Sequence, residues 1–188
     1  MNKPALAMIE LKSVAKGIVA TDAIAKKAVV DILSTNPVCP GKYAIIFAGE
    51  VGDVEEGIKA GIEASGDMII NQLFLPNIHP DIIPAITATT NIKEFKSIGI
   101  IESFSIASCV MGADRAAKAA PVELVEMRLA NGLGGKGYFV FTGELPDVEA
   151  AIDAAEDYIK KEGLLAGSEI IANPHPDLIA KGVYWGGF

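Results

Sequence analysis

Asn77-Ile78-His79-Pro80-Asp81 returns as Asn173-Pro174-His175-Pro176-Asp177, 96 residues further on. Working outward from this corner, the same echo runs through the whole chain. Ile9-Glu10 recurs as Ile101-Glu102 at an offset of 92, and Ser13, Ala15, Asp22, Lys26 and Val30 meet Ser105, Ala107, Asp114, Lys118 and Val122 at that spacing. Across 7–33 against 99–125, nine of 27 pairs are identical. At an offset of 94, Gly41-Lys42 becomes Gly135-Lys136, and Asp53-Val54-Glu55 becomes Asp147-Val148-Glu149. Offsets that shift only between elements mean that loops change length inside one repeated unit. The chain therefore reads as two similar domains, 4–90 and 96–184, with a linker in the polar stretch 87–96.

Each unit has the same expected order. A strand (5–11; 98–103) leads to a helix (17–29; 111–119) and a β-branched run (30–33; 122–127). A Gly/Pro-rich loop then leads to an apolar strand (43–48; 138–142). A second helix starts at an acidic N-cap, Asp53 or Asp147, with Glu56 completing a capping box in the first copy. It runs to 65 and 161, and a last strand (68–75; 168–172) precedes the Asn-x-His-Pro-Asp corner and a short helix or tail. Strands alternating with helices predict an α/β (α+β) fold, a small antiparallel or mixed sheet with helices packed on it.

Composition bounds the function. The chain has 188 residues, 51% hydrophobic with a mean hydropathy of +0.36, which excludes a disordered chain. No run reaches the ~18 apolar residues of a membrane helix, and Met1-Asn2-Lys3-Pro4 enters a strand directly, unlike a signal peptide. A soluble cytoplasmic protein, not bound to a membrane, is expected. The formal charge of −8 lacks the basic footprint of a nucleic-acid binder. Two cysteines do not make a disulfide framework, and two histidines limit histidine chemistry.

The strand-borne Glu, the Asp-x-x-x-Lys helix, the Gly-Lys pair before an apolar strand and the Pro-His corner, each present twice, resemble the shell-domain family of bacterial microcompartments. Two copies in one chain are similar to its tandem-domain shell proteins. That likeness implies a structural protein, not an enzyme. It implies a homotrimer imitating a hexamer, tiled with other shell proteins into a sheet around a compartment in the cytoplasm. It also implies that the first-repeat loop Asn36-Pro37-Val38-Cys39-Pro40-Gly41-Lys42 borders a central pore, opposite Gly132, Gly134 and Gly135 of the second repeat. A cysteine at that place is similar to a propanediol-utilisation subtype. There the likeness implies a 4Fe–4S cluster held by Cys39 from three subunits, electron transfer across the shell, and an enclosed or cytoplasmic redox protein as partner. Lys26 and Lys118 are implied as tile-edge contacts.

Read from the residues alone, the alternatives differ. Cluster binding needs several thiolates, and Cys39 and Cys109 stand 70 residues apart, so Cys39 serves only if symmetry multiplies it. Three sulfurs would leave one iron open to water or a partner's ligand. Pro37 and Pro40 stiffen the loop and leave the N–H groups of Cys39 and Gly41 as its donors. Without a cluster, Cys39 is a pore-lining thiol and the opening admits metabolites. As an enzyme nucleophile it has only Lys42 as a cationic neighbour. Cys109 reads as a small buried thiol. His79 and His175 read as structural corners, their Asp partners able to cap a short helix. The glycine runs precede strands and fit neither a Walker nor a Rossmann pattern.

Overall fold

A computed structural model describes residues 4–183. The opening Met1-Asn2-Lys3 and the expected domain end at 184 lie outside the described residues. Packing divides the chain into two compact units, one ending at Pro80 and the next beginning at Asp81.

The first unit is β1 (Ala5–Leu11), α1 (Val14–Lys27), β2 (Asp31–Val38), β3 (Lys42–Gly49), α2 (Val51–Ser65) and β4 (Ile69–Leu75). The second unit opens with α3 (Ile82–Thr87). It then repeats the pattern as β5 (Ser97–Ser103), α4 (Ile106–Ala119), β6 (Glu123–Leu129), β7 (Gly137–Gly143), α5 (Leu145–Lys161) and β8 (Leu165–Ile171), and the described residues finish with α6 (Pro176–Leu178) running into a π-helical turn (Ile179–Val183). The sheet orders are β2-β3-β1-β4 and β6-β7-β5-β8, every pair antiparallel. Even the irregularities are duplicated. The register slips between Ile32 and Ser34 and between Leu124 and Glu126, at equivalent places. A bulge kept in both copies is a feature of the unit and not a defect.

The helices pack on one sheet face. In the first unit Ile9, Ile45 and Phe47 from the sheet meet Ile24, Val54 and Ile58 from the helices, all buried. Each such side chain contributes roughly 1.5–3 kcal/mol by leaving water. In the second unit Phe139 and Phe141 stack with ring centroids 5.8 Å apart.

The helix starts differ from expectation. α1 and α4 begin earlier, because Ser13 and Ser105 cap them: each Oγ accepts from the backbone N–H three residues on, at 3.3 Å from Lys16 and 3.4 Å from Ser108. The N-caps of α2 and α5 are Glu50 and Glu144, not Asp53 and Asp147. Each helix leaves its strand after a single residue, so the cap is drawn upstream. The two aspartates sit in the first turn, where a negative charge still favours the helix dipole. The Gly/Pro loop also shrinks in the first copy, since Pro37 and Val38 continue β2.

The two units differ in what covers them. Ile18 on α1 is 57% exposed, whereas its counterpart Val110 on α4 is fully buried. Val14 is exposed where Ile106 is buried, and β2 is half-exposed where the middle of β6 is buried. In the second unit α3 lies against β6 and α4.

Candidate functional site: the hairpin turn at Cys39

β2 and β3 form a tight hairpin, with Val38 opposite Lys42 and only Cys39, Pro40 and Gly41 between them. The Cys39–Pro40 peptide is cis, and Gly41 has φ +72, a left-handed conformation that glycine adopts without a Cβ penalty. Nothing lies within 4 Å of where a Gly41 Cβ would stand, so it is this backbone angle, and not space, that requires glycine. Cys39 is a free, half-buried thiol at the tip.

The second repeat replaces this turn with a longer loop. β6 ends at Leu129, and Ala130 takes φ +58, followed by positive φ at Gly132, Gly134 and Gly135. The Ala130 N–H donates to the Lys136 carbonyl at 2.9 Å, closing the loop at its base. The two loops carry the expected pore residues, one on each unit.

Beneath each loop lies an ion pair that sequence reasoning missed. Lys42 Nζ reaches Glu10 Oε1 at 3.0 Å, and Lys136 Nζ reaches Glu102 Oε1 at 2.6 Å. The signal was present, because both halves of the pair are duplicated in the sequence. Glu10 is almost completely buried and Glu102 is not. A second missed cluster belongs to β6 and β7. Glu126 is buried, and its Oε1 accepts from Arg128 Nε at 2.5 Å and from the Tyr138 hydroxyl at 2.9 Å. Burial, together with the Glu126 hydrogen bond, pushes the Tyr138 phenol up to about 12. In the first unit the same positions hold Ser34 and Asn36, joined by a 2.9 Å hydrogen bond.

Cys109 lies inside α4, which begins ahead of the expected start at 111, and is fully buried. Burial alone drives its thiol far above the ordinary range, so it stays protonated. Its place in the repeat explains it. Gly17 is the equivalent of Cys109, and Tyr43 the equivalent of Gly137. A Cβ on Gly17 would come within 2.2 Å of the Tyr43 ring, and a Cβ on Gly137 within 3.0 Å of Cys109. The large partner sits on the strand in one unit and on the helix in the other.

Lys26 and Lys118 each pair with the aspartate one turn earlier, at 2.6 Å to Asp22 and 2.5 Å to Asp114. His175 caps α6, its Nδ1 accepting from the Asp177 N–H at 3.2 Å. His79 sits in the equivalent corner of the first repeat, where the Ile78 N–H donates to the Pro4 carbonyl at 3.1 Å. Among the described residues, no three His, Cys, Asp or Glu side chains of one chain gather as metal ligands. No helix among them is long and apolar enough to cross a membrane.

A four-stranded antiparallel sheet with helices on one face, used twice in tandem, defines the class. The model of the BMC domain matches residues 5–78 and again 97–174. The chain belongs to the BMC-domain family of bacterial microcompartment shell proteins. It is 40% identical over 174 residues to the bacterial microcompartment shell protein PduT of Citrobacter freundii, covering 93% of this chain and 95% of that one. A crystal structure of a microcompartment protein from Desulfitobacterium hafniense superposes with a TM-score of 0.92 at 39% identity, over 95% of this chain and 99% of that one. A single-domain relative, a carboxysome shell protein of Hydrogenovibrio crunogenus, is 31% identical over 86 residues, 44% of this chain and 90% of its own length. These relatives are structural proteins and not enzymes, in keeping with the role read from the sequence.

Proposed function

We propose that the protein is a trimeric shell tile whose three Cys39 thiolates hold one 4Fe–4S cluster in the central pore. The observation that carries this is the placement of Cys39. It stands half-exposed at the tip of a short hairpin, and the other cysteine is sealed inside a helix of the second unit. One chain thus supplies one usable sulfur. The residues fit a cluster only when a threefold axis brings three copies together, which a tandem protein related to PduT gives grounds to expect. The Cys39 and Gly41 N–H groups are the donors nearest the sulfur along the chain, and such hydrogen bonds tune a cluster.

In this reading the cluster supplies one-electron chemistry, and the chain's own part is to hold it. The hairpin fixes the sulfur, while Pro37, Pro40 and Gly41 line the opening together with Gly132, Gly134 and Gly135, and Val38 is buried behind them. Electrons would pass between a redox protein inside the compartment and one in the cytoplasm. The tile would lie in the shell beside other shell proteins, with Lys26 and Lys118 at its edges. Propanediol utilisation is the compartment suggested by the relative at 40% identity.

The test is anaerobic purification with iron, acid-labile sulfide and absorbance near ~400 nm measured per trimer, alongside Cys39→Ala. About four irons and four sulfides per trimer, absent from the variant, are expected. An intact trimer that takes up no iron after anaerobic reconstitution overturns the cluster. Cys39 would then be a pore-lining thiol, and metabolite passage the activity to measure.

A further inference from the structure

The charge pair at the base of the Cys39 hairpin is built differently from its copy in the second repeat. Glu10 lies on β1, an inner strand of the sheet, and only 5% of its side chain is exposed. Lys42 is the first residue of β3 and closes the turn opposite Val38, three residues after Cys39. The residue directly opposite Glu10 is Ala44, which shares a sheet face with Lys42. The 3.0 Å contact from Lys42 Nζ to Glu10 Oε1 is therefore a diagonal one between neighbouring strands. In the second repeat Glu102 is 35% exposed, and the loop above it carries no cysteine. Stability does not account for the difference. Taking a carboxylate out of water is costly, and apolar side chains of similar volume often hold a fold together as well as a buried ion pair. What burial does supply is reach, because a charge kept away from water and salt is screened less. The buried copy is the one beneath the cysteine.

We infer that the Glu10–Lys42 pair sets the reduction potential of the cluster at Cys39. Lys42 supplies the charge, and Glu10 is the positioning residue that holds the Lys42 ammonium at the foot of the turn. The inference rests on the cluster reading above and adds what tunes that site. The step is the entry of one electron from a donor redox protein and its exit to an acceptor. No covalent bond of the chain is made or broken, and no proton moves. The reduced cluster carries one negative charge more than the oxidised one, and the net charge around a cluster is one of the factors that set its potential. The ammonium of Lys42 favours the reduced form. The Glu10 carboxylate offsets it, and does so incompletely, because Lys42 belongs to the hairpin itself and Glu10 to the next strand. In a trimer three such pairs surround one cluster.

The test uses the full-length chain, reconstituted anaerobically, as wild type, Glu10→Gln, Lys42→Met and the double variant. Iron and sulfide are counted for each, and the potential is read by dithionite titration followed by electron paramagnetic resonance of the reduced cluster. Glu10→Gln leaves the cation unopposed and should shift the potential upward. Lys42→Met leaves the carboxylate unopposed and should shift it downward. The double variant restores a neutral pair and should return close to wild type. A pair that only braces the hairpin would lower melting temperatures without giving shifts of opposite sign that cancel. Lys42→Met strands a buried carboxylate, so if it fails to fold, Glu10→Gln and the double variant decide between the two roles. Lys26→Met removes the same charge from the last turn of α1, roughly 20 Å along the helix from its Ser13 cap, and should shift the potential less. Unmoved potentials, single variants that shift the same way, or a Lys26→Met shift as large as that of Lys42→Met overturn the inference and leave the cluster standing. A wild type that takes up no iron overturns the cluster and the inference together.

Discussion

Gly17 shows how much one missing methyl group decides. Its absent Cβ leaves the space that the Tyr43 ring occupies, and the Tyr43 hydroxyl goes on to meet Thr35 Oγ1 at 2.9 Å. Gly17→Ala should destabilise the first unit by about 1–3 kcal/mol, the usual cost of overpacking a filled site, measured as a shift in urea midpoint. An unchanged midpoint would mean that the ring moves aside freely. Cys109 was legible as a buried thiol from its small, apolar neighbours. That it fills the space left by Gly137 was not, because the repeat shows which positions correspond but not which side chains face each other.

At the scale of elements, the neighbouring strands β1 and β3, and likewise β5 and β7, carry a charge pair, and the two pairs should not be equal. Lys42→Met strands Glu10 in a buried site without its cation, and removing one member of a buried pair costs about 3–5 kcal/mol. Lys136→Met leaves Glu102 half-open to water, where such pairs contribute only about 0–1 kcal/mol. Chemical denaturation of the two variants checks the asymmetry, and equal losses would contradict the difference in burial. The order of elements was legible because hydrophobic runs, capping residues and turn residues agree in both copies. Boundaries were less so. Ser13 and Ser105 start their helices earlier than the apolar period suggests, and Asp53 and Asp147 look like caps while sitting one turn inside. Capping depends on which backbone N–H groups the strand leaves unpaired, and that is set by tertiary structure. The longer Gly132–Gly135 loop was visible as glycines, and its run of positive φ follows from them.

For the whole molecule, the proposed assembly raises the question of how acidic chains would meet. Each chain carries a formal charge of −8, so the proposed sheets would require local complementarity at their edges. Replacing both Lys26 and Lys118 by Asp should leave trimers intact and stop sheet formation, since each change reverses a charge and sets two carboxylates one turn apart. Electron micrographs showing sheets from the double variant would remove these lysines from the edge. The reciprocal packing of Gly17 with Tyr43 and of Cys109 with Gly137 bears on the history of such a chain. Tandem halves that remain alike can exchange segments by recombination. Here an exchange of the helix alone would set a cysteine against a tyrosine in one unit and a glycine against a glycine in the other, a clash and a void. With these pairs in place, a helix of one half cannot replace that of the other without loss of stability unless its facing strand moves with it, so helix and strand are inherited as a set.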